Sequence, residues 1–288
     1  MSQSPCPAEV ANSTRAGASR EPSLAATAGR PPWTPDIDDA GAGYDTFGAN
    51  ADWARRVAIL NSLLYDNWFR VRSHGAQHIP QRGAGILVAN HSGNLPFDGA
   101  MIWTDVLRRT QPPRLVRPIA HNVVPAMPVF STLAARMGIV GGTRTNVERL
   151  LSRGELLLIF PEGVPGIIKP FSERYKLRGF TVGHAEFAIR HRVPIHPVAV
   201  IGAEEQWPAL GTVPFGRSRL QRLAVPMLPF PLPVRYHLHY GPPLHIYKDY
   251  PPESADHPQV LDGCAERVRS VVQSMVDEGL RQRQGVFA

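Results

Sequence analysis

Apolar residues along this chain form short runs that alternate with segments of helical periodicity. The strand-like runs are "GILVAN" (85–90), "RLVRPIA" (114–120), "ELLLIF" (155–160), "IHPVAVIG" (195–202) and "VRYHLHYG" (234–241). The segments with helical spacing cover 98–109, 128–137, 145–153, 180–191 and about 257–283. Buried strands that alternate with helices of this length are typical of α/β proteins. The pattern predicts one mixed, largely parallel sheet flanked by helices, and it assigns no element to the proline-rich stretch that ends at 234.

The N-terminal part of the chain divides at about residue 48. Residues 1–48 are rich in Ala, Ser, Pro and Gly and have almost no periodic apolar positions, so they cannot bury enough surface to offset chain entropy. We predict a disordered tail over 1–48 and one domain over 49–288. Beyond the boundary, an amphipathic helix is predicted over 51–72, ending near Gly75. Its apolar residues are Trp53, Val57, Leu60, Leu64, Trp68 and Val71.

Composition and charge narrow the classes of partner. With 288 residues, 43% of them hydrophobic, the chain can bury one full core. Its net charge of +7 favours phosphate-bearing ligands or surfaces. Cys6 and Cys264 are too few and too far apart for a disulfide framework, which indicates a reducing compartment. Because no secretory signal is found and the longest apolar stretch, 223–234, is about half a membrane-spanning helix, we expect a cytoplasmic protein that contacts membranes peripherally.

Several common chemical signatures are absent from the sequence. There is no G-x-x-x-x-G-K-[ST] nucleotide loop, no G-x-S-x-G serine elbow and no recognisable nucleic-acid module, so we expect no nucleic-acid partner. His237 and His239 lie two apart on a predicted strand, with His245 nearby, which is a conceivable metal site. No carboxylate or cysteine joins them at a characteristic distance. Histidines on a half-exposed strand are therefore the favoured interpretation, and no metal is expected.

A histidine and an aspartate flank the turn that follows the "GILVA" run. A histidine at the carboxyl end of a buried strand lies where open α/β sheets build their ligand clefts. His91 could take a proton from a substrate hydroxyl, while Asp98 fixes the tautomer and stabilises the imidazolium. Alternatively, His91 caps a turn and Asp98 caps the helix that begins at Gly99. These residues alone do not separate the two alternatives.

Four blocks in order add a resemblance to a known family. They are "VANHSGNLPFDG" (88–99), "GIVGGTRTN" (138–146), "LLLIFPEG" (156–163) and "VPIHPVAVIGAEE" (193–205). The sequence resembles the glycerolipid acyltransferases, which include lysophosphatidate and glycerol-phosphate acyltransferases, over roughly residues 75–205. "FPEG" after an apolar strand is the most specific block. The segment "KPFSERYKLRGF" (169–180) most resembles the monoacylglycerol and diacylglycerol acyltransferase-like branch.

The resemblance implies transfer of a fatty acyl group from acyl-CoA or acyl carrier protein to a glycerolipid or lysophospholipid hydroxyl, with no cofactor or metal. It makes His91 the general base and Asp98 its partner. It implies substrate-binding roles for Arg144, Phe160, Pro161, Glu162, Gly163 and Lys176. Arg144 could hold an acceptor phosphate by a bidentate contact. Glu162 could orient acceptor hydroxyls or hold its loop through backbone N–H groups, and both roles stay open.

One departure from the family pattern concerns the first block. The usual spacing is His-x4-Asp, whereas six residues separate His91 from Asp98 and Pro96 stands where the aspartate would be. Two extra residues could loop out, with Gly93 supplying backbone freedom, and still bring Asp98 to the imidazole. The altered spacing also motivates an alternative function, a catalytically inactive peripheral lipid-binding homologue.

Basic residues and exposed apolar positions suggest contact with an anionic membrane surface. Two segments fit: the 51–72 helix, for which packing on the core is at least as favoured, and the 215–230 loop. The loop interleaves Arg217, Arg219 and Arg222 with Phe215, Leu220 and Met227. A further basic run after the FPEG block could bind phosphates or form a solvated face. It contains Lys169, Arg174, Lys176 and Arg178.

Overall fold

A mostly parallel sheet forms the centre of the molecule. The computed structural model describes residues 33–92, 96–120, 130–214 and 222–288. The strands in these residues are β1 (Arg72–His74), β2 (Gly85–Ala89), β3 (Val116–Ala120), β4 (Val140–Gly141), β5 (Leu156–Ile159), β6 (Ile195–Ile201), β7 (Ala209–Pro214), β8 (Arg222–Pro226) and β9 (His237–Tyr240). Seven of them form one sheet in the order β1-β9-β6-β2-β5-β3-β4. The pairings in that sheet are parallel except β6 with β9, which is antiparallel.

Helices cover both faces of this sheet. They are α1 (Ala51–Leu63), α2 (Phe97–Arg109), α3 (Phe130–Arg136), α4 (Arg144–Ser152), α5 (Val164–Ile167), α6 (Gly183–His191) and α7 (Pro258–Gln282). The alternating side chains of β2 show the two layers. Leu87 packs with residues of α1 and α2, whereas Ile86 and Val88 pack with residues of α4, α6 and α7. The predicted α/β class, with one largely parallel sheet between helices, is confirmed.

A two-stranded hairpin is the main element that the sequence pattern missed. β7 and β8 pair with each other in antiparallel fashion, outside the seven-stranded sheet. β8 lies at the start of the proline-rich stretch, where prolines hid the strand pattern because they are depleted in strands. Of the predicted 215–230 anchor loop, residues 215–221 lie outside the described residues.

The boundary of the predicted N-terminal tail is wrong for its second part. Residues 1–32 lie outside the described residues, but Trp33 and Ile37 pack against the core. Asp45 is buried and forms an ion pair with Arg117, a fully buried residue of β3. A buried guanidinium requires such a partner, because an unpaired charge in the interior is costly. Residues 33–48 therefore belong to the packed domain.

The predicted 51–72 helix is shorter, and only part of its predicted apolar face packs against the core, namely Val57, Leu64 and Val71, which are partly buried. α1 ends at Leu63, a π-helical turn follows over Leu64–Trp68, and β1 begins at Arg72. The buried residues of this segment are Ala54, Ala58, Tyr65 and Phe69. Leu60, predicted to be on the apolar face, is 66% exposed. The prediction relied on large side chains and overlooked the alanines that allow close helix packing.

Candidate active site

The end of β2 is held by an asparagine that extends strand pairing through its side chain. Asn90 is buried, and its Nδ2 donates to the carbonyl of Val200 at 2.9 Å. The backbone N–H of Val200 donates to Asn90 Oδ1 at 2.7 Å. These two bonds link the end of β2 to β6 and fix where the chain leaves the sheet. His91 is the next residue, at the carboxyl edge of the parallel strands.

His91 and Asp98 form a direct hydrogen bond despite the long spacing between them. His91 Nδ1 lies 2.7 Å from Asp98 Oδ2. Asp98 is fully buried in the first turn of α2, and its carboxylate also accepts the backbone N–H groups of Ser92 (2.9 Å) and Gly99 (2.7 Å). The N-cap of α2 is Pro96, so the alternative in which Asp98 caps the helix does not hold. Residues 93–95, including Gly93, lie outside the described residues.

The imidazole of His91 is restrained on two sides. Phe160 stacks on it, with ring centroids 4.2 Å apart, while Asp98 holds Nδ1. The His91 side chain is 13% exposed, so it lies at the surface of the site and not in a sealed interior. A carboxylate at Nδ1 favours the tautomer with its proton on that nitrogen, which leaves a lone pair on Nε2.

Glu162 connects the loop after β5 to the loop after β2. One of its carboxylate oxygens, Oε1, accepts the backbone N–H of His91 at 3.0 Å. The other, Oε2, accepts the backbone N–H of Arg178 at 2.8 Å and lies 3.2 Å from Lys169 Nζ. The side chain is buried and both oxygens are occupied. Of the two roles that the sequence left open for Glu162, this geometry favours holding the loops together.

Two glycines near Glu162 have different roles: Gly163 adopts a backbone conformation that favours glycine, and Gly166 leaves space for the glutamate side chain. Gly163 has φ +56° and ψ −146°, a backbone conformation that residues with a Cβ adopt only under strain. A Cβ on Gly166 would lie 2.7 Å from Glu162 Cβ. The glycines of the FPEG turn and of α5 therefore allow the carboxylate to reach both neighbouring loops. Pro161 is buried, and its carbonyl accepts the backbone N–H and the hydroxyl of Thr181.

A buried lysine extends this network to the loop after β6. The side chain of Lys169 is 3% exposed, and its Nζ lies 3.0 Å from Glu204 Oε1 as well as near Glu162. Burial raises the pKa of Glu204, and the charge of Lys169 opposes that rise. Lys169 is thus not part of a solvated basic face, whereas Arg174 and Lys176 of the same basic run are exposed. Glu204 was missed, although its position directly after a strand at the same sheet edge was a usable signal.

The remaining predicted residues lie away from His91. Arg144 begins α4, its side chain is 57% exposed, and it pairs with Glu186 of α6 at 2.6 Å. It shares the carboxyl edge of the sheet with His91, but β4 is three strands from β2, roughly 14 Å at ordinary strand spacing. Lys176 is exposed on the loop that precedes α6. The structure brings Phe160 and Glu162 into contact with His91, but not Arg144 or Lys176.

Comparisons with known proteins identify the family of the chain. The family model described as Acyltransferase matches residues 70–201. The uncharacterized protein Rv0502 of Mycobacterium tuberculosis is 35% identical over 257 residues, covering 84% of this chain and 71% of that protein. The chain belongs to the acyltransferase family. Within the part of the chain that the structure describes, no helix combines the length and apolar character needed to cross a membrane.

Two further similarities refine the family assignment. The human DGAT1/2-independent enzyme synthesizing storage lipids is 26% identical over 236 residues, covering 80% of this acyltransferase and 68% of the human protein. The crystal structure of the 1-acyl-sn-glycerophosphate (LPA) acyltransferase PlsC from Thermotoga maritima has the same fold, with a TM-score of 0.54, 19% identity and 81% coverage of each chain. The predicted resemblance to glycerolipid acyltransferases is confirmed. The family uses an acyl donor and a lipid acceptor.

Proposed function

We propose that this acyltransferase moves a fatty acyl group from a thioester to a hydroxyl of a glycerolipid or lysophospholipid, with His91 as the general base. The donor is acyl-CoA or acyl carrier protein. The single observation that carries this proposal is the 2.7 Å bond from His91 Nδ1 to the buried carboxylate of Asp98. That bond orients a partly exposed imidazole and offsets the positive charge it gains when it accepts a proton.

The proposed reaction proceeds without a covalent acyl-enzyme. His91 Nε2 takes the proton of the acceptor hydroxyl as its oxygen attacks the thioester carbonyl carbon. The tetrahedral intermediate collapses, the carbon–sulfur bond breaks, and the departing thiolate receives the proton from the imidazolium. The products are an ester and a free thiol. Asp98 holds the ring through Nδ1, while Phe160 limits its rotation.

The inactive lipid-binding alternative loses its main motivation. It was based on the six residues between His91 and Asp98, which differ from the usual four. Because the two side chains form a hydrogen bond at this longer spacing, the spacing by itself gives no reason to expect inactivity. The two functions still differ in one measurable respect, since only the enzyme esterifies an acceptor.

The decisive experiment is an acyl-transfer assay with radiolabelled acyl-CoA. The acceptors are lysophosphatidate, glycerol 3-phosphate, monoacylglycerol and diacylglycerol, and acylated acyl carrier protein replaces the CoA ester in a parallel series. We expect His91→Ala to lower kcat about 10²–10⁴-fold, and Asp98→Asn to lower it by a similar or smaller factor, with unchanged circular dichroism. The proposal would be refuted if the wild-type protein transferred no acyl group from either donor, or if His91→Ala kept full activity.

The acceptor lipid requires access to a membrane, and we propose that the protein docks on an anionic bilayer. Ile59, Leu60 and Leu63 form an exposed apolar stripe on α1, opposite the side that packs on the core. Met227 and Phe230, just after β8, are also exposed, Phe230 by 74%. Basic charge together with exposed apolar side chains is the pattern of interfacial binding. The net charge of +7 favours anionic lipid.

Aromatic contacts link the segment after β8 to the proposed base. Trp207 Nε1 donates to the carbonyl of Leu228 at 2.6 Å, and the Trp207 ring lies 6.4 Å from that of Phe97. Phe97 immediately precedes Asp98. Trp207 and Phe97 therefore connect the segment after β8 to the residue that precedes Asp98.

Liposome flotation tests the docking proposal. We expect binding to vesicles with anionic lipid, weaker binding to neutral vesicles, and loss of binding when Leu60→Asp and Leu63→Asp are combined. Phe171→Asp is the matched control, because Phe171 is an exposed aromatic residue outside both segments. Equal flotation of the double variant and the control would contradict the proposal.

A further inference from the structure

Three histidines come together on the outer strands of the sheet. β1 is the edge strand, and its residue His74 is the register partner of His239 on β9. His237, two residues earlier on β9, has its side chain on the same face as His239. Each of the three histidines offers one ring nitrogen, and these three nitrogens all lie within 4.8 Å of one another. His245, the third histidine considered in the sequence, lies outside this cluster and contacts Tyr247.

The spacing of two of these nitrogens matches that of ligands on one metal ion. His74 Nε2 lies 3.2 Å from His237 Nδ1, so the two rings share a hydrogen bond that a bound ion would replace. Metal–nitrogen bonds of about 2.0–2.1 Å in a tetrahedral site separate the nitrogens by roughly 3.3 Å. The rings are nearly parallel, with centroids of His74 and His239 4.3 Å apart, so they must turn about χ2 for their lone pairs to converge. That torsion is soft in histidine, and His74 is exposed and free to adjust.

The two inner histidines carry nitrogens without protein partners. His237 Nε2 and His239 Nε2 are buried, and neither has a hydrogen-bond partner among the described residues. Burial lowers the pKa of both side chains to about 4, so the rings are neutral near pH 7. Metal binding uses a lone pair of the neutral imidazole. Imidazole ligands suit Zn²⁺, Cu²⁺ and Ni²⁺.

A cleft opens directly beside the cluster and gives a cation access. Its volume is about 630 Å³, and it is lined by His74 and His239 on one side and by residues of α7, among them Ser274 and Glu278, on the other. Glu278 is close enough to His239 to oppose the lowering of its pKa. Its carboxylate is bonded to Arg281 and Gln282, so it is not counted among the ligands. Positive charge on Arg72 and Arg235 opposes cation binding near His237, so the three nitrogen bonds must outweigh that repulsion.

We propose that His74, His237 and His239 form a binding site for a divalent transition-metal ion, with Zn²⁺ as the ion to test. The ion would join the edge strand β1 to β9 and leave a coordination position that faces the cleft. The site is separate from His91 and takes no part in the proposed acyl transfer.

Equilibrium dialysis of untagged full-length protein with Zn²⁺ tests the proposal. We expect one zinc ion per chain, and a rise in the melting temperature because the ion binds only the folded arrangement. His74→Ala removes an exposed ligand without opening the core, and it should weaken zinc binding at least roughly tenfold, since even outer-shell changes cost 10–100-fold. His237→Ala and His239→Ala should do the same, with folding checked by circular dichroism.

Two control variants separate this site from other histidines. His245→Ala alters an exposed histidine outside the cluster, and His91→Ala removes the imidazole of the candidate active site. Both should bind zinc as the wild-type protein does. No zinc binding by the wild type, equal binding by His74→Ala and His245→Ala, or binding lost in His91→Ala but not in His74→Ala would each overturn the proposal.

Discussion

The carboxylate of Glu162 accepts a hydrogen bond from the backbone N–H of His91 at 3.0 Å, although the two residues are 71 positions apart in the chain. β2 and β5 are adjacent parallel strands, so the loops that follow them leave the sheet side by side. A single buried side chain thus fixes the backbone of the candidate base. We infer that the geometry of His91 depends on Glu162 as well as on Asp98.

Replacing Glu162 tests this dependence. In Glu162→Gln, an NH2 group replaces one of the two carboxylate oxygens. That group then faces either the backbone N–H of His91 or the Arg178 N–H and Lys169, so a buried donor loses its acceptor. We expect a loss of about 1–3 kcal/mol in the free energy of unfolding and a clear fall in kcat with a smaller change in KM. Urea unfolding and acyl-transfer kinetics measure the two effects. Glu173→Gln is the control, because Glu173 pairs with Arg178 at the surface, and it should change stability by no more than about 0.5 kcal/mol.

Gly166 should be intolerant of even one added methyl group. In Gly166→Ala the new Cβ would lie 2.7 Å from Glu162 Cβ, so the glutamate must move. We expect a cost of about 1–3 kcal/mol from overpacking, together with reduced activity. Gly179→Ala, where an added Cβ meets no atom within 4 Å, is the matched control. Similar kinetics in the two variants would show that Glu162 does not position the base.

Arg144 provides a test of the acceptor. Its guanidinium is paired with Glu186 at the surface, so it can bind a phosphate only by exchanging that partner. If it holds an acceptor phosphate, Arg144→Ala should lower kcat/KM for lysophosphatidate roughly 10–100-fold, the equivalent of about 1.5–3 kcal/mol. The value for monoacylglycerol should stay the same. An equal effect on both acceptors would exclude phosphate recognition by this residue.

Buried histidines predict loss of stability in mild acid. Burial lowers the pKa of His184 from 6.5 to about 4, so the folded protein binds fewer protons than the unfolded chain between these values. Stability contributed by neutral His184 is complete above pH 6.5 and declines as the pH falls toward 4. Linkage gives a loss of about 2 kcal/mol for this residue between pH 7.5 and 5.

His184→Leu should reduce that loss without abolishing it. His196, whose pKa burial also lowers to about 4, still titrates in the variant. Urea unfolding at pH 7.5 and at pH 5 gives the stability lost between these pH values for each protein. Any change in stability that the substitution causes at both pH values therefore cancels. His245→Gln, at an exposed position, should keep the full wild-type loss. The same pH dependence in His184→Leu and the wild type would contradict the prediction.

Much of the sheet and of the candidate dyad could be predicted from local sequence. The apolar runs at β2, β5 and β6 and the helices between them were identified because burial on both faces of a parallel strand leaves a continuous apolar segment. The pairing of His91 with Asp98 was stated as a hypothesis from neighbouring positions. Less regular elements were missed, namely the β7–β8 hairpin and the packed segment around Asp45.

Contacts between distant segments depend on strand order and register, which no local pattern specifies. The ion pair of Lys169 with Glu204, the bond from Glu162 to His91 and the cluster of His74 with His239 are contacts of this kind. By itself the sequence determined the α/β class, the family and the residues of the candidate dyad, because these reside in periodicity and short motifs. Only the tertiary structure decided that Glu162 holds the backbone of His91, that Lys169 is buried and that His74 contacts His237, because folding brings residues together across the sheet.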